Sequence, residues 1–495
     1  MIQFIVVLLV GVLFYELYWK RRNLPPGPTP LPFIGNLVTL QLHEPGYAAF
    51  EMWREKYGPI FTYWIGYLPF VIVSDYQTMK DTFVKDGDAY AGKFTLPEIN
   101  DVFRGGSYGV LETSGEQWRE HRRFTLHVLK DLGLSKNVME ERILLEVEDM
   151  TKQLSEAKGK EVDIAEVIDV NVGSVINQLL FGYRFGQEHL DEFHKLKVMI
   201  KRQFTEFCAP TAAPMFILPI SRKFPYFKAL WQKFLENRDA FYGFFDRQID
   251  AHRKDLDFDS EEATDYVEAF LKEQKRREAN GDHESFSHKQ LQNMCLDLWI
   301  AGMETTSNTL AWSVVYMLNF PDIQAKVQEE LDREIGSSRQ ITTTDKNQLV
   351  YTNAVINEVQ RLANLVPVNL FHQTTRDVQM GPYHLPAGTG VVAQISTVLY
   401  DKEVFPEPMT FNPSRFIDED GTLKRIDELI PFSIGKRQCL GEGLARMELF
   451  LFFSNLLNRF EMCSVDSGKP PSMEKKFGMT MKPQPFHCVA KLRHH

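Results

Sequence analysis

The stretch from Ser287 to Asn319 reads as one uninterrupted helix, and no other feature narrows the possible folds as much. Ser287 with Gln290 three residues on forms a capping box, and Phe320-Pro321 stops the run. At 1.5 Å per residue such a helix is about 48 Å long. It must cross a whole domain, with other elements packed around it. One face carries Leu291, Met294, Cys295, Leu298 and Trp299, an ordinary core stripe. The stripe then turns small and polar at Ala301, Gly302, Glu304, Thr305 and Thr306. Gly302 leaves room for a bulky flat partner. A threonine hydroxyl there can bond the carbonyl four residues back and bend the helix. A notch with an acid and an alcohol beside it is a place to deliver protons.

The second constraint is PFSIGKRQCLGEGLARMELFLFF, with Cys439 between Gly435 and Gly441. Free cysteines are mostly small buried hydrophobes. Here the glycines permit close backbone approach or positive φ. A helix opening at Leu440 points free N–H groups at the sulfur, and Arg437 adds positive field. All of these favour thiolate over thiol, a ligand's environment.

The bulk numbers exclude several alternatives. With 495 residues, 44% hydrophobic and 25% charged, the chain is globular with an extensive core. A net charge of −10 argues against nucleic-acid binding. Cys208, Cys295, Cys439, Cys463 and Cys488 include no CxxC pair, so neither a disulfide framework nor a zinc ribbon is expected, and a reducing compartment fits. No HxxxH spacing falls on a plausible helix. Helical periodicity dominates; strand-like runs such as Ile60–Tyr63 and Phe70–Val73 are few and early.

Residues 1–22 read as a transmembrane anchor. Ile2 to Trp19 is apolar apart from Gln3 and Glu16, and Lys20-Arg21-Arg22 follow at once. About 27 Å of helix is the short end of what spans a bilayer. A cleaved signal peptide would want the charge in front and a small-residue site behind. The basic cluster places the body in the cytosol. Residues 23–33, with Leu24-Pro-Pro-Gly-Pro-Thr-Pro30, read as a stiff hinge, and 34–495 as a single catalytic domain.

Phe432, Gly435, Arg437, Cys439 and Gly441 match the haem-thiolate motif of the cytochrome P-450 monooxygenases at every fixed position, and the chain resembles that family throughout. Ala301–Thr306 resembles its oxygen-activation motif, Glu358-x-x-Arg361 its Glu-x-x-Arg pair, Trp118-x-x-x-Arg122 its propionate-binding helix, and Phe411–Phe416 its Pro-x-Arg-Phe stretch. The sequence after the cysteine is similar to the animal microsomal, family 2-like branch. The resemblance implies a mainly α fold with small β-sheets (α+β), with haem b between the long central helix and the cysteine loop.

By the same resemblance Cys439 supplies the axial thiolate to the haem iron. Trp118, Arg122, His372 and Arg437 would bind the haem propionates, and Phe432, Gly435 and Gly441 would lie beneath the porphyrin. Lys93 stands where relatives often carry arginine. Glu304 and Thr305 would relay protons towards the oxygen site. Glu358, Arg361 and Arg415 resemble a structural triad. The pocket would be lined by Val110, Phe204, Phe207, Trp299, Ala301, Thr305, Val366, Val368, Leu370, Met479 and Met481, an apolar set that implies a lipophilic substrate. Residues 209–230, with Phe216-Ile217-Leu218 between prolines and Arg222-Lys223, read either as a membrane-dipping loop or as a core-facing connection.

The sequence has no flavin- or dinucleotide-binding motif. The resemblance therefore implies NADPH used indirectly through an NADPH–haemoprotein reductase, with cytochrome b5 a further partner, at the endoplasmic reticulum membrane. Lys436, Arg446, Arg123 and Lys130 are candidate docking cations. The expected reaction is O2-dependent hydroxylation or epoxidation of a polyunsaturated fatty acid or xenobiotic. A haem-thiolate isomerase of lipid peroxides is the alternative, disfavoured by the Glu304-Thr305 pair. A haem sensor or carrier without turnover is disfavoured by the same relay residues together with the reductase anchor geometry.

Overall fold

The computed structural model describes residues 2–134, 137–207, 209–260, 262–337, 339–476 and 480–493. Its axis is the helix His288–Asn319, 32 residues long, as the sequence requires. Ser287 Oγ accepts the Gln290 N–H at 3.3 Å. Gln290 does not close the box in return; its Oε1 accepts the N–H of Gly109 at 2.9 Å and ties the 104–113 loop to the helix.

Two buried helices clasp this axis. Ile164–Phe181, among the described residues the one helix long and apolar enough to cross a membrane, lies inside the core. It approaches so closely that a Cβ on Gly302 would stand 2.5 Å from Ile176 Cδ1. Gly302 therefore serves helix–helix packing, which corrects the expectation that it makes room for a flat ligand. Glu442–Arg459, the helix after the cysteine, is joined to the axis where Thr306 donates to Glu448 at 3.1 Å. It opens at Glu442, two residues later than expected.

The strands are β1 (Ile60–Ile65), β2 (Leu68–Val73), β3 (Gly92–Lys93), β4 (Glu161–Val162), β5 (His372–Gln373), β6 (Val378–Met380), β7 (Tyr383–Leu385), β8 (Gly390–Ala393), β9 (Phe460–Ser464) and β10 (Cys488–Leu492). They form sheets ordered β1-β2-β8-β5-β3, β4-β10-β9 and β6-β7. β2 runs parallel to β8 and its end is buried on both faces, which suits its Val-Ile-Val run. At the other edge β3 pairs with β5 and sets Lys93 opposite His372. The fold is thus mainly helical with small sheets, as expected.

The N-terminal helix spans Ile2–Leu17, about 24 Å at 1.5 Å per residue, and exposes Phe4, Val7 and Val10. The proline segment behind it is not a free spacer. Pro25, Gly27 and Pro30 are buried, and the Thr62 N–H donates to the Pro26 carbonyl at 2.9 Å. A Cβ on Gly27 would fall 1.9 Å from the Thr62 carbonyl oxygen. Because β1 is the edge of its sheet, this segment covers groups that would otherwise stay unpaired. Arg21 reinforces it by donating to the Gly27 carbonyl at 2.8 Å.

Candidate active site

Cys439 sits in a loop whose shape is fixed from both sides. Its N–H donates to the Phe432 carbonyl at 3.0 Å, and Gln438 N–H to the Gly435 carbonyl at 3.1 Å. Gly435 has φ +84°, and a Cβ there would lie 2.0 Å from the Phe83 carbonyl oxygen. Its close approach is thus to the protein's own backbone. Gly441 meets nothing within 4 Å, so no protein neighbour requires a glycine there.

Cys439 has an exposed surface although protein surrounds it on most sides, as at the floor of a recess. Burial pushes its thiol up, against the pull of the Gly441 N–H and of the Arg122 and Arg446 guanidiniums. The neighbouring charges alone do not make the thiolate expected from the sequence. Coordination to a metal deprotonates a thiol outright.

The notch lies on the central helix. Ala301 is exposed in mid-helix, flanked by the fully buried Trp299 and Met303, so the helix faces an opening there. Thr305 Oγ1 donates to the Ala301 carbonyl at 2.7 Å, the local back-bond anticipated above. One turn earlier on the same face, Asp297 accepts the N–H groups of Val110 and Leu111, each at 2.9 Å, and the Arg104 guanidinium at 2.8 Å. Arg437 reaches from the cysteine loop to the Thr113 carbonyl at 2.6 Å and the Val110 carbonyl at 3.4 Å. Val110 therefore bridges the cysteine loop and the central helix.

Positive charge gathers at one end of this arrangement. Arg437 stacks on Trp118 at 3.9 Å, and Arg122 donates to the Gln438 carbonyl at 2.6 Å. Burial, then Arg122, pushes Arg437 down to about 9, with Glu112 opposing. Burial also lowers Lys93, which stands 3.8 Å from Glu112. His372 is held down to about 3 by burial, then by Lys93 and Arg437, so its ring is neutral, and its buried Nδ1 has no partner. Crowded, desolvated cations and an orphaned ring nitrogen are what a pair of carboxylates would satisfy. Trp118 and Arg122 of one helix thus converge with His372 and Arg437 from two distant segments, and the set fits the propionate edge of a haem.

Glu304 is placed differently from expectation. It is fully buried and ion-paired with Lys482, accepts Asn308 Nδ2 at 3.0 Å, and leaves Oε2 without a partner. Lys482 carried no signal in the sequence. Glu448 carried one, an acid inside an apolar helix, but was not singled out; burial pushes it up to about 8.

The expected pocket divides. Ala301, Thr305, Val366 and Leu370 are incompletely covered, whereas Val110 and Met481 are buried beside the site's framework. Met481 N–H donates to Leu365, and its carbonyl accepts Trp312 Nε1 at 2.7 Å. Trp299 is a correction. It lies 200° round the helix from Ala301 and packs edge-on to Phe185 in the core. Phe207 belongs to a separate cluster with Met215 and Phe234. Val368 packs on the sheet cluster around Phe70 and Val392. Met479 lies outside the described residues, as does the side chain of Phe204.

The family description "Cytochrome P450" matches residues 25–489. This chain belongs to the cytochrome P450 family. Similar relatives include cytochrome P450 2C16 of Oryctolagus cuniculus, 35% identical over 93% of each chain, and cytochrome P450 2C7 of Rattus norvegicus, 34% identical over 94% of each. Cytochrome P450 2B2 of Rattus norvegicus is 36% identical over 90% of this chain and 89% of its own. The protein is a monooxygenase of the microsomal family-2 type, with haem held by a cysteine thiolate and electrons supplied by a redox partner. Its family substrates are lipophilic.

Proposed function

We propose that Cys439 is the axial thiolate and that Trp118, Arg122, His372 and Arg437, with Lys93 behind them, hold the haem propionates. The observation that carries this is the convergence of those side chains beside the cysteine loop. Bound there, haem supplies O2 activation and transfer of one oxygen atom. The chain's own residues exclude water, seat a lipophilic substrate against Ala301, Val366 and Leu370, and move protons. Glu304 and Thr305 are the relay, Glu304 acting when its carboxylate leaves Lys482 and Thr305 by its hydroxyl.

Residues 34–495 form the catalytic domain, held at the endoplasmic reticulum membrane by the N-terminal helix, with the body cytosolic. Phe216 and Ile217 are tucked against Phe234 and Gly66, so they are not the membrane-dipping residues. Ile220, Phe224 and Tyr226 are exposed instead, and Phe33, itself exposed, lies across Gly66 from Ile217. These side chains suit contact with lipid, from which a lipophilic substrate would enter. The electron donors are an NADPH–haemoprotein reductase and cytochrome b5, met by exposed Arg123 and Lys130 and by Lys436 and Arg446, which are partly engaged by Asp88 and Glu442. The substrate is a polyunsaturated fatty acid or a xenobiotic.

Cys439→Ala should abolish the thiolate-type spectrum of the reduced carbonyl adduct; its persistence would sink the assignment. Reconstitution with reductase, NADPH and labelled O2 should put one labelled oxygen into a fatty acid or a drug panel. Blank panels, with lipid peroxides rearranged without NADPH, would replace monooxygenation by isomerisation.

A further inference from the structure

A ladder of acid–base pairs runs between two helices towards Glu304. The helix Ile164–Phe181 carries Glu166 and Asp169 one turn apart, and the helix Leu190–Arg202 answers with His194 and Lys197, spaced alike. His194 Nδ1 stands 3.2 Å from Glu166, and Lys197 pairs with Asp169. Burial deepens along the series. The acid side chain is 43% exposed at Glu166, 13% at Asp169 and 1% at Glu304, so only the outer rung meets water freely.

The inner rung meets the central helix. A Cβ on Gly173, one turn beyond Asp169, would lie 3.5 Å from Met303 Cγ, so the two helices face each other there. Ser307 stands about 40° round the central helix from Met303 and about 60° from Glu304, between the two. Its Oγ is 3.7 Å from the Met303 sulfur, a weak acceptor that leaves the hydroxyl free to turn. Burial, opposed by Lys197, pushes the Asp169 carboxyl up; the charge of Glu304 adds to the rise, and a bond from Ser307 opposes it. Two carboxylates that feel each other hold one proton more readily than either does alone. Glu304 Oε2, without a partner, has room to accept it.

We propose that Asp169 is a positioning residue for the monooxygenase reaction, holding the proton that Glu304 passes on. The inference rests on Glu304 being the relay acid. Asp169 takes a proton from solvent by way of the Glu166–His194 rung. It gives that proton to Ser307 Oγ as the hydroxyl hydrogen of Ser307 moves to Glu304 Oε2. One O–H bond breaks and one forms at each transfer, and Asp169 is left ionised beside Lys197 to collect the next proton.

The test uses the haem-loaded protein with reductase, NADPH and arachidonic acid, or the drug that takes most labelled oxygen if arachidonic acid takes none. Product and peroxide are counted per NADPH consumed, in H2O and in D2O. Asp169→Asn should keep haem content while lowering product per NADPH about tenfold, with more peroxide and a larger solvent isotope effect on product formation. Asp169→Glu keeps the carboxyl and should stay within about threefold of the parent, since the two acids have similar ordinary pKa values. In the Glu304→Gln protein, Asp169→Asn should change nothing further. Parent-like coupling in Asp169→Asn beside an uncoupled Glu304→Gln, or losses that add in the double variant, overturns the proposal. Loss of haem in Asp169→Asn, or failure of Asp169→Glu to hold the coupling, would make the residue structural only. If Glu304→Gln stays coupled, or no substrate takes label, the relay reading itself falls and this inference with it.

Discussion

Two buried carboxylates, Glu358 and Glu304, show how differently one fold treats the same group. Glu358 is fully satisfied. It accepts Arg361 Nε at 2.7 Å and Nη2 at 2.9 Å, the Asn412 N–H at 2.9 Å and Arg415 Nε at 3.1 Å. Arg361 in turn donates to the Leu399 carbonyl at 3.0 Å. Both carboxylate oxygens and both guanidiniums are engaged, and the three elements that meet there have one arrangement. Glu304 keeps one oxygen idle and is paired with Lys482, whose side chain is 32% exposed. The first carboxylate is a clamp; the second keeps an acceptor oxygen to spare. The difference lies in how many partners each acid is given.

The largest effect should come from undoing the clamp. Glu358→Gln leaves two buried guanidiniums uncompensated and should cost about 3–5 kcal/mol, seen as a lowered Tm and loss of bound haem. Next is the second acid. Glu304→Gln should keep haem and fold while lowering coupled turnover by about 10²–10⁴-fold, with NADPH oxidation diverted to peroxide. Unchanged coupling would remove Glu304 from the relay.

Lys482→Met should shift coupling in the same direction but by less, because the lysine is partly solvated and holds the acid without being the relay. An effect as large as that of Glu304→Gln would mean the pair acts as a unit. An effect of another kind, on pH dependence, is in Glu448. Its carboxyl is raised to about 8 in the fold against an ordinary value of 4.5. The folded protein therefore binds the extra proton, and stability falls as pH rises from about 4.5 to 8. Glu448→Gln should flatten the decline of Tm across that window.

Local pattern and tertiary contact account for what was and was not legible. The central helix was readable to the residue because a cap, a periodicity and a Phe-Pro stop agree. The β1–β2 strands were readable because β-branched and aromatic residues cluster there. Cys439 stood out by its local setting, Trp118, Arg122, His372 and the propionate role of Arg437 came from resemblance, and the convergence of all five is tertiary. Gly302 was misread because a glycine does not say what approaches it; only the position of Ile176 does. Trp299 was misread because an apolar residue next to a functional one can still lie on the far side of a helix. Lys482 was invisible, since ion pairs between distant segments leave no local mark.

The covering of β1 by the proline segment has a mechanical consequence. With the Pro26 carbonyl bonded to Thr62 and Gly27 pressed against it, the start of the domain has no swivel. Were the helix Ile2–Leu17 embedded in a membrane, a body tethered through such a joint would not tumble on its leash. Its pitch would be inherited from the edge strand, and with it the choice of which side chains face that surface.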